Sequence, residues 1–332
     1  MDDDLDVAAV RTFARDAFDL DAVMAAKGGR TVSVCIPAHN EAATLGLVLA
    51  AVRTSHVAAA GGSGLVDEVL VVDDGSTDAT ATVVRRIVGP VHLVSQSQGG
   101  PSAARNAGVA ASSGEWIAFL DADDEWHPEK LERQLRLAEG DVVLVATDWS
   151  RDAVRAPAPE TIPTTVLPTS KILLLNRFQT STVLLRRDAL GAAGGFDASL
   201  DGVEDWDMWL RASRQGGVVK LDWPFVRYTD VATGYSKALD RVYRTGRTML
   251  GRELGEPPTG AGRAVMAWHH LRFALAYGLA KDRASARACL ADLQEAGLAA
   301  AVPEATARYV LPFLARRAAR RLERRTMRGD AP

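Results

Sequence analysis

The segment EWIAFLDADDEWHPEKLERQ, residues 115–134, runs from an apolar stretch through crowded carboxylates into a polar, helix-forming stretch. Trp116 to Leu120 is unbroken by polar residues, as in a strand buried on both faces. It stops at Asp121, Asp123 and Asp124. Extended backbone alternates its side chains, so Asp121 and Asp123 are expected on one side. Carboxylates that close repel each other and are best tolerated around a divalent cation. With no Cys or His cluster nearby, oxygen ligands of this kind suit a hard ion, Mg2+ or Mn2+. The alternative is that these residues cap the helix starting near Pro128, for which one carboxylate suffices.

The same strand-then-helix pattern repeats on either side. Upstream, strands are expected at 31–37, 67–74 and 91–95, with helices at 41–55, 77–88 (capped by Ser76 or Thr77) and 101–112. Downstream come a helix at 127–139 and a strand at 141–147. Such alternation predicts an α/β fold, a Rossmann-like, mostly parallel sheet flanked by helices, with ligands at the carboxyl ends of its strands. Residues 148–168 read as a loop, 170–178 as a short helix, 181–187 as a strand, and a further helix starts near Glu204. The stretch VVKLDWPFVRY, 218–228, supplies one or two last strands. Beyond it, a C-terminal helical extension is expected, with helices near 236–250, 261–280, 282–296 and 303–326. The domain reading is therefore a helical segment over 1–29, an α/β domain over 30–235 and a helical region over 236–332.

Composition narrows the classes. With 39 Lys and Arg against 42 Asp and Glu, the net charge of −3 gives no argument for nucleic acid. Cys35 and Cys289 stand too far apart for a disulfide framework or zinc spacing, which makes a reducing, cytoplasmic setting the expectation. The acidic start MDDDLDVAAV does not read as a secretory signal, and no run reaches the ~18 apolar residues of a membrane span. Residues 301–332 hold eight arginines against Glu304, Glu323 and Asp330. That arginine-rich tail is either a solvated terminal helix or a peripheral contact with an anionic membrane face.

Other acidic strand ends and turns add to the first. VVDDGSTDAT (71–80) puts Asp73 and Asp74 at a strand end, where either can accept from a base or ribose. QGGPSAARNAGVA (98–110) is a glycine-rich turn before a helix, a shape that can approach phosphate, with Arg105 one turn in. EDWDMWLR (204–211) opens a helix with acids, one of which can take a proton from a nucleophile, with Trp206 lining the cleft and Trp209 in the core. The first strand runs into PAHNEA rather than G-x-G-x-x-G, and neither a P-loop nor a G-x-S-x-G elbow is present.

In this order, VSVCIPAHNEAATL, VDEVLVVDDGSTDAT, GGPSAARNAGVAASSGEWIAFLDADDEWHPEKLERQ, TSTVLLRRDALGAAGGFD and EDWDMWLR resemble the family-2 glycosyltransferases of the GT-A fold, over about residues 31–230. The resemblance implies transfer of a sugar, with inversion, from a nucleoside-diphosphate donor, a UDP-sugar first, to a glycan, lipid-linked or small-molecule acceptor. It implies that Pro37, Ala38 and Glu41 edge the nucleoside pocket and that Asp74 bonds the base. Arg105 would reach base or diphosphate, Asp121 the ribose side, and Asp123, with Asp121, the metal. Asp205 would be the catalytic base, with Glu204 orienting either that base or the acceptor. His39 stands where many relatives carry an aromatic residue, and Arg227 and Tyr228 lie where relatives often place a His or Arg near the diphosphate. Two other readings are a nucleotide-sugar-binding scaffold without catalysis and a nucleotidyltransferase. The C-terminal helices, with Trp268, Leu271, Phe273, Leu275 and Tyr277, would pack on the catalytic domain, form a homodimer or make their own core.

Overall fold

The computed structural model describes residues 25, 27–56, 64–152, 157–229 and 238–315. The helical segment expected over 1–29 falls almost wholly outside them, as does the arginine-rich tail beyond 315.

The elements run β1 (Val32–Ala38), α1 (Leu45–His56), β2 (Glu68–Asp74), α2 (Thr80–Arg85), β3 (Val91–Gln96), α3 (Gly100–Ala111) and β4 (Trp116–Phe119). Then come β5 (Glu125–Trp126), α4 (Lys130–Leu135), β6 (Val142–Ser150), β7 (Thr164–Val166), α5 (Thr169–Leu174), a 3-10 turn (Thr180–Thr182) and β8 (Leu184–Arg186). α6 (Arg187–Ala193), α7 (Glu204–Ala212) and β9 (Gly217–Arg227) follow. Three longer helices are α8 (Leu239–Leu254), α9 (Ala261–Leu279) and α10 (Arg283–Glu295).

Among the described residues, nine strands join one sheet in the order β3-β2-β1-β4-β8-β6-β9-β5, with β7 also on β9. The first four are mutually parallel. β8 is antiparallel to both β4 and β6, and β6 is parallel to β9. Two antiparallel steps return β6 to the direction of β4. The carboxyl ends of β1, β2, β3, β4, β6 and β9 therefore share one rim. The parallel character is concentrated in the first half, because only there does a helix follow each strand to carry the chain back.

β1 and β4 are buried along almost their whole length, which is why they read as continuous apolar runs. Val32, Val34, Ile36, Trp116 and Ala118 face Leu45, Leu49 and Val52 of α1 in one core. α3 closes the other face of β1, at Gly108. A Cβ there would lie 2.3 Å from Cys35 Sγ.

Several boundaries differ from expectation, each for a local reason. β4 ends at Phe119 because the chain turns after Leu120, with the Asp124 amide donating to the Asp121 carbonyl at 3.1 Å. The strand expected over 181–187 shortens to β8, since a 3-10 turn precedes it and a helix starts at Arg187. The loop expected over 148–168 contains the end of β6 and all of β7. Neither Ser76 nor Thr77 caps α2; the Asp78 carboxylate accepts from the Thr80 amide at 2.9 Å.

The chain divides into two compact units, one within 1–199 and 204–234, the other within 200–203 and 235–332. The second unit has its own core of Tyr243, Phe273, Tyr277 and Cys289, and Trp268 packs edge-on to Phe313 at 5.4 Å. Among the described residues, no helix is long and apolar enough to cross a membrane.

Candidate active site

The rim at the carboxyl end of the sheet gathers most of the residues singled out in the sequence. After β4 the chain forms a tight Asp121–Asp124 turn rather than continuing extended, so the argument that period two sets Asp121 and Asp123 side by side does not hold. They are neighbours all the same. Burial, then the charges of Asp121 and Glu41, push the Asp123 carboxyl up to about 6. Among the described residues no cation pairs with it. Among the described residues, Asp121 is paired through Oδ1, with Arg105. Asp124 differs from both: it is 1% exposed, and its carboxylate accepts from Ser181 Oγ at 2.6 Å and from the Thr229 amide at 2.9 Å. Burial and the nearby Asp121 raise its pKa. It caps no helix.

An uncompensated carboxylate beside a half-engaged one is a fitting place for a hard divalent cation. Among the described residues no group of three or more metal-ligating side chains is assembled. Asp121 and Asp123 can supply only part of a coordination shell. Mg2+ commonly takes the rest from substrate phosphates and water.

The loops after β1 and β2 are laced together. His39 Nδ1 donates to the Asp74 carbonyl at 2.8 Å, which leaves Nε2 to accept from Asn40 Nδ2 at 3.1 Å. The Asn40 amide donates to Ser76 Oγ, and the Thr77 amide to Asn40 Oδ1. The Glu41 amide donates to Thr80 Oγ1. Gly75, at φ +72°, passes so close to Gln98 that a Cβ would lie 2.8 Å from its amide nitrogen. Pro37 and Ala38 end β1 beside Asp73 and its neighbour Val72, and Glu41 reaches the surroundings of Asp123.

Asp74 is already occupied. Its carboxylate accepts from Gln96 Nε2 at 2.7 Å and from the amides of Gly99 and Gly100, each at 2.8 Å. The glycine-rich turn therefore gives these two amides to Asp74 rather than to a phosphate. A base would be an additional partner of that carboxylate, on a remaining lone pair.

Arg105 does not extend toward a ligand. It is 6% exposed, and its guanidinium donates to Asp121 Oδ1 at 3.1 Å and to Glu204 Oε1 at 3.1 Å. Burial opposes its charge, but Asp121 and Glu204 outweigh that and hold it firmly protonated. One side chain thus ties the turn after β4 to the start of α7. Asp205, next along α7, is half-buried; its carboxylate accepts from Asn176 Nδ2 at 2.8 Å and from the Trp206 amide at 2.6 Å. Burial, then the charge of Glu204, raises its pKa above the usual carboxylate range. A carboxylate tuned upward suits a proton acceptor working near neutrality.

Trp206 does not line a cleft. It is 2% exposed and its indole donates to the Ile172 carbonyl at 2.6 Å. Trp209 is core, packed against Phe119 and Phe196. Arg227 pairs with Glu125 at 2.9 Å, and the Tyr228 ring lies 5.3 Å from Trp149. The contacts that sequence reading missed are Asn176 on Asp205, and Ser181 and Thr229 on Asp124.

Comparison with known proteins bears on the family and the fold. Residues 33–191 match the family described as Glycosyl transferase family 2. The succinoglycan biosynthesis protein ExoO of Rhizobium meliloti is 40% identical over 119 residues, 35% of this chain and 32% of that protein. The chain spans about a third or less of the length of the curated relatives it first matches. Among solved structures, Staphylococcus aureus TarS 1–349 in complex with UDP-GlcNAc superposes with a TM-score of 0.56 at 19% identity, covering 73% of this chain and 72% of that one. The mannosyltransferase PcManGT of Pyrobaculum calidifontis, in complex with GDP-Man and Mn2+, gives 0.55 at 20% identity and covers 89% and 88%. At these identities the structures establish a common GT-A fold.

Proposed function

Residues 33–191 belong to glycosyl transferase family 2, and from that premise we propose that the chain moves a sugar from a nucleoside-diphosphate donor to an acceptor hydroxyl with inversion. The observation that carries this reading is the Arg105 bridge, 3.1 Å to Asp121 and 3.1 Å to Glu204, which sets the acids after β4 and the acids of α7 in one site. The two stations have different work. Asp121 and Asp123 would hold Mg2+ or Mn2+ at the donor end of the site. When bound, such a cation offsets the charge growing on the departing nucleoside diphosphate.

Asp205 accepts the proton of the acceptor hydroxyl. The acceptor oxygen forms its bond to the anomeric carbon as the bond from that carbon to the diphosphate oxygen breaks, and attack from the opposite side inverts the configuration. Asn176 and the Trp206 amide fix the orientation of the base, and Glu204, held by Arg105, keeps the start of α7 in register. Pro37, Ala38, Glu41 and Asp74 form the nucleoside end. A UDP-sugar is the first donor to try, since TarS was solved with UDP-GlcNAc; the GDP-Man complex of PcManGT makes a GDP-sugar the second. A glycan, lipid-linked or small-molecule acceptor fits the chemistry equally, at the cytoplasmic side of a membrane or in free solution.

Calorimetry with UDP, GDP and dTDP, with and without Mn2+, followed by a screen of the corresponding sugars, tests the proposal. Mn2+-dependent binding of one diphosphate and release of that nucleotide on adding an acceptor are expected. Binding without release under any acceptor would favour a nucleotide-sugar-binding scaffold instead.

A further inference from the structure

Behind the acidic turn lies a set of buried polar side chains with no role in the chemistry above. Lys130 and Gln134, one helical turn apart on α4, are both fully buried, and Lys130 Nζ donates to Gln134 Oε1 at 2.8 Å. Burial holds the Lys130 amine well below its ordinary pKa, and it lies 4.0 Å from the centre of the Trp126 ring. Gln134 Nε2 donates to the carbonyls of Val145 at 2.7 Å and Thr182 at 2.9 Å. Trp126 Nε1 donates to the Ser181 carbonyl at 2.8 Å. Two side chains thus pin the backbone of residues 181 and 182 from below. The Ser181 hydroxyl then faces the turn. It accepts from the Asp121 amide at 3.0 Å and donates to Asp124 Oδ2 at 2.6 Å. From the end of β9, the Thr229 amide holds Asp124 Oδ1, and its hydroxyl donates to the Asp123 carbonyl.

We propose that Ser181 is a positioning residue for the cation-binding turn: its hydroxyl, fixed by Trp126, Lys130 and Gln134, grips the Asp121 amide and the Asp124 carboxylate, so that Asp121 and Asp123 are aimed at the cation while Asp124 is kept out of its coordination shell. The inference rests on the glycosyltransferase reading. Both oxygens of Asp124 are engaged by Ser181 and Thr229, which makes it a brace. A rotation about the backbone of this turn would swing the Asp123 carboxylate, and the Ser181 hydroxyl restrains that rotation at both ends.

The test measures Mn2+ binding to the full chain by loss of the free Mn2+ electron paramagnetic resonance signal, at fixed UDP and, in parallel, fixed GDP. Ser181→Ala is expected to weaken Mn2+ binding about 10–100-fold, the usual cost of removing a group that orients a metal ligand. Thr182→Val serves as the control. It removes a hydrogen bond of the same 3-10 turn, Thr182 Oγ1 to the Gln179 carbonyl, and is expected to bind Mn2+ as the native chain does. If Ser181→Ala does not fold, Ser181→Cys, close in shape but weak in hydrogen bonding, is expected to show the same loss. Native affinity in a folded Ser181 variant, or an equal loss in Thr182→Val, overturns the inference. A native chain that takes up Mn2+ with neither nucleotide overturns the functional reading itself.

Discussion

Both units bury ionisable side chains, and they do so to opposite ends. In the second unit, Tyr243 Oη bridges His270 Nδ1 and Asp292 Oδ2, at 2.7 Å each. Arg247 closes on Asp292 at 3.2 Å, and His269 Nε2 donates to the Tyr243 carbonyl at 3.0 Å. Because the tyrosine proton goes to the carboxylate, His270 presents Nδ1–H, whereas His269 presents Nε2–H; the neighbours are held in opposite tautomers. Burial pushes both histidines down, His270 to about 4. They are neutral struts. At the rim of the sheet, by contrast, Asp123 and Asp205 are pushed up, and among the described residues no cation pairs with the Asp123 carboxylate. A buried titratable cluster is therefore not in itself the mark of a site. What distinguishes one is charge left uncompensated at an edge that a ligand can reach.

That contrast can be broken most directly at Asp205. Asp205→Asn is expected to lose about 10²–10⁴-fold in turnover, the usual worth of a general base, with Mn2+-dependent nucleotide affinity unchanged. In the native chain the base must be ionised, so kcat/KM should fall as pH drops through the raised pKa of Asp205. A fully active Asn variant, measured with the donor found by screening, would remove Asp205 from the chemistry.

Arg105→Met should cost about 3–5 kcal/mol of stability in urea unfolding, since it strands two carboxylates that its guanidinium now satisfies. A loss under 1 kcal/mol would mean that the bridge does not hold the two stations. In the other unit, Tyr243→Phe removes only the hydroxyl between His270 and Asp292. About 1–3 kcal/mol is expected, with Mn2+ and UDP binding as in the native chain; altered binding would show the cluster to be more than structural.

A further effect is one of pH. An unfolded histidine titrates near ~6.5, while His270 is held down to about 4 in the folded chain. Between those values the unfolded state binds more protons. The stability gained by keeping His270 neutral is therefore present above the upper value and is lost as pH falls toward the lower one. The gap in melting temperature between the native chain and His270→Gln should narrow over that range. A gap that stays constant would mean His270 does not titrate there.

The strands and the acids at their ends were legible because both are local signals. An apolar run and its carboxylates lie within a few residues of each other, as in 116–124. The aim of those acids was not legible. The Asp121–Asp124 turn is fixed by Ser181 and Thr229, which lie 57 and 105 residues along the chain from Asp124. No periodicity reports such a contact. Arg105 was correctly placed near the start of α3, but helical spacing cannot say which acid a buried arginine will meet; it met two. Trp206 does not line the cleft expected of an indole beside an acid, because its N–H finds the Ile172 carbonyl inside the core. Asp74 was read as an open acceptor, since nothing in VVDDGSTD reveals that the amides of Gly99 and Gly100 will claim it.

A guanidinium shared between Asp121 and Glu204 also constrains how this protein can change over generations. Residues 105, 121 and 204 form one inherited unit: loss of Arg105 strands both acids, and loss of either acid takes one of the two partners of a buried guanidinium. Drift should therefore act freely on the loops around the rim and leave that trio to change together or stay as it is.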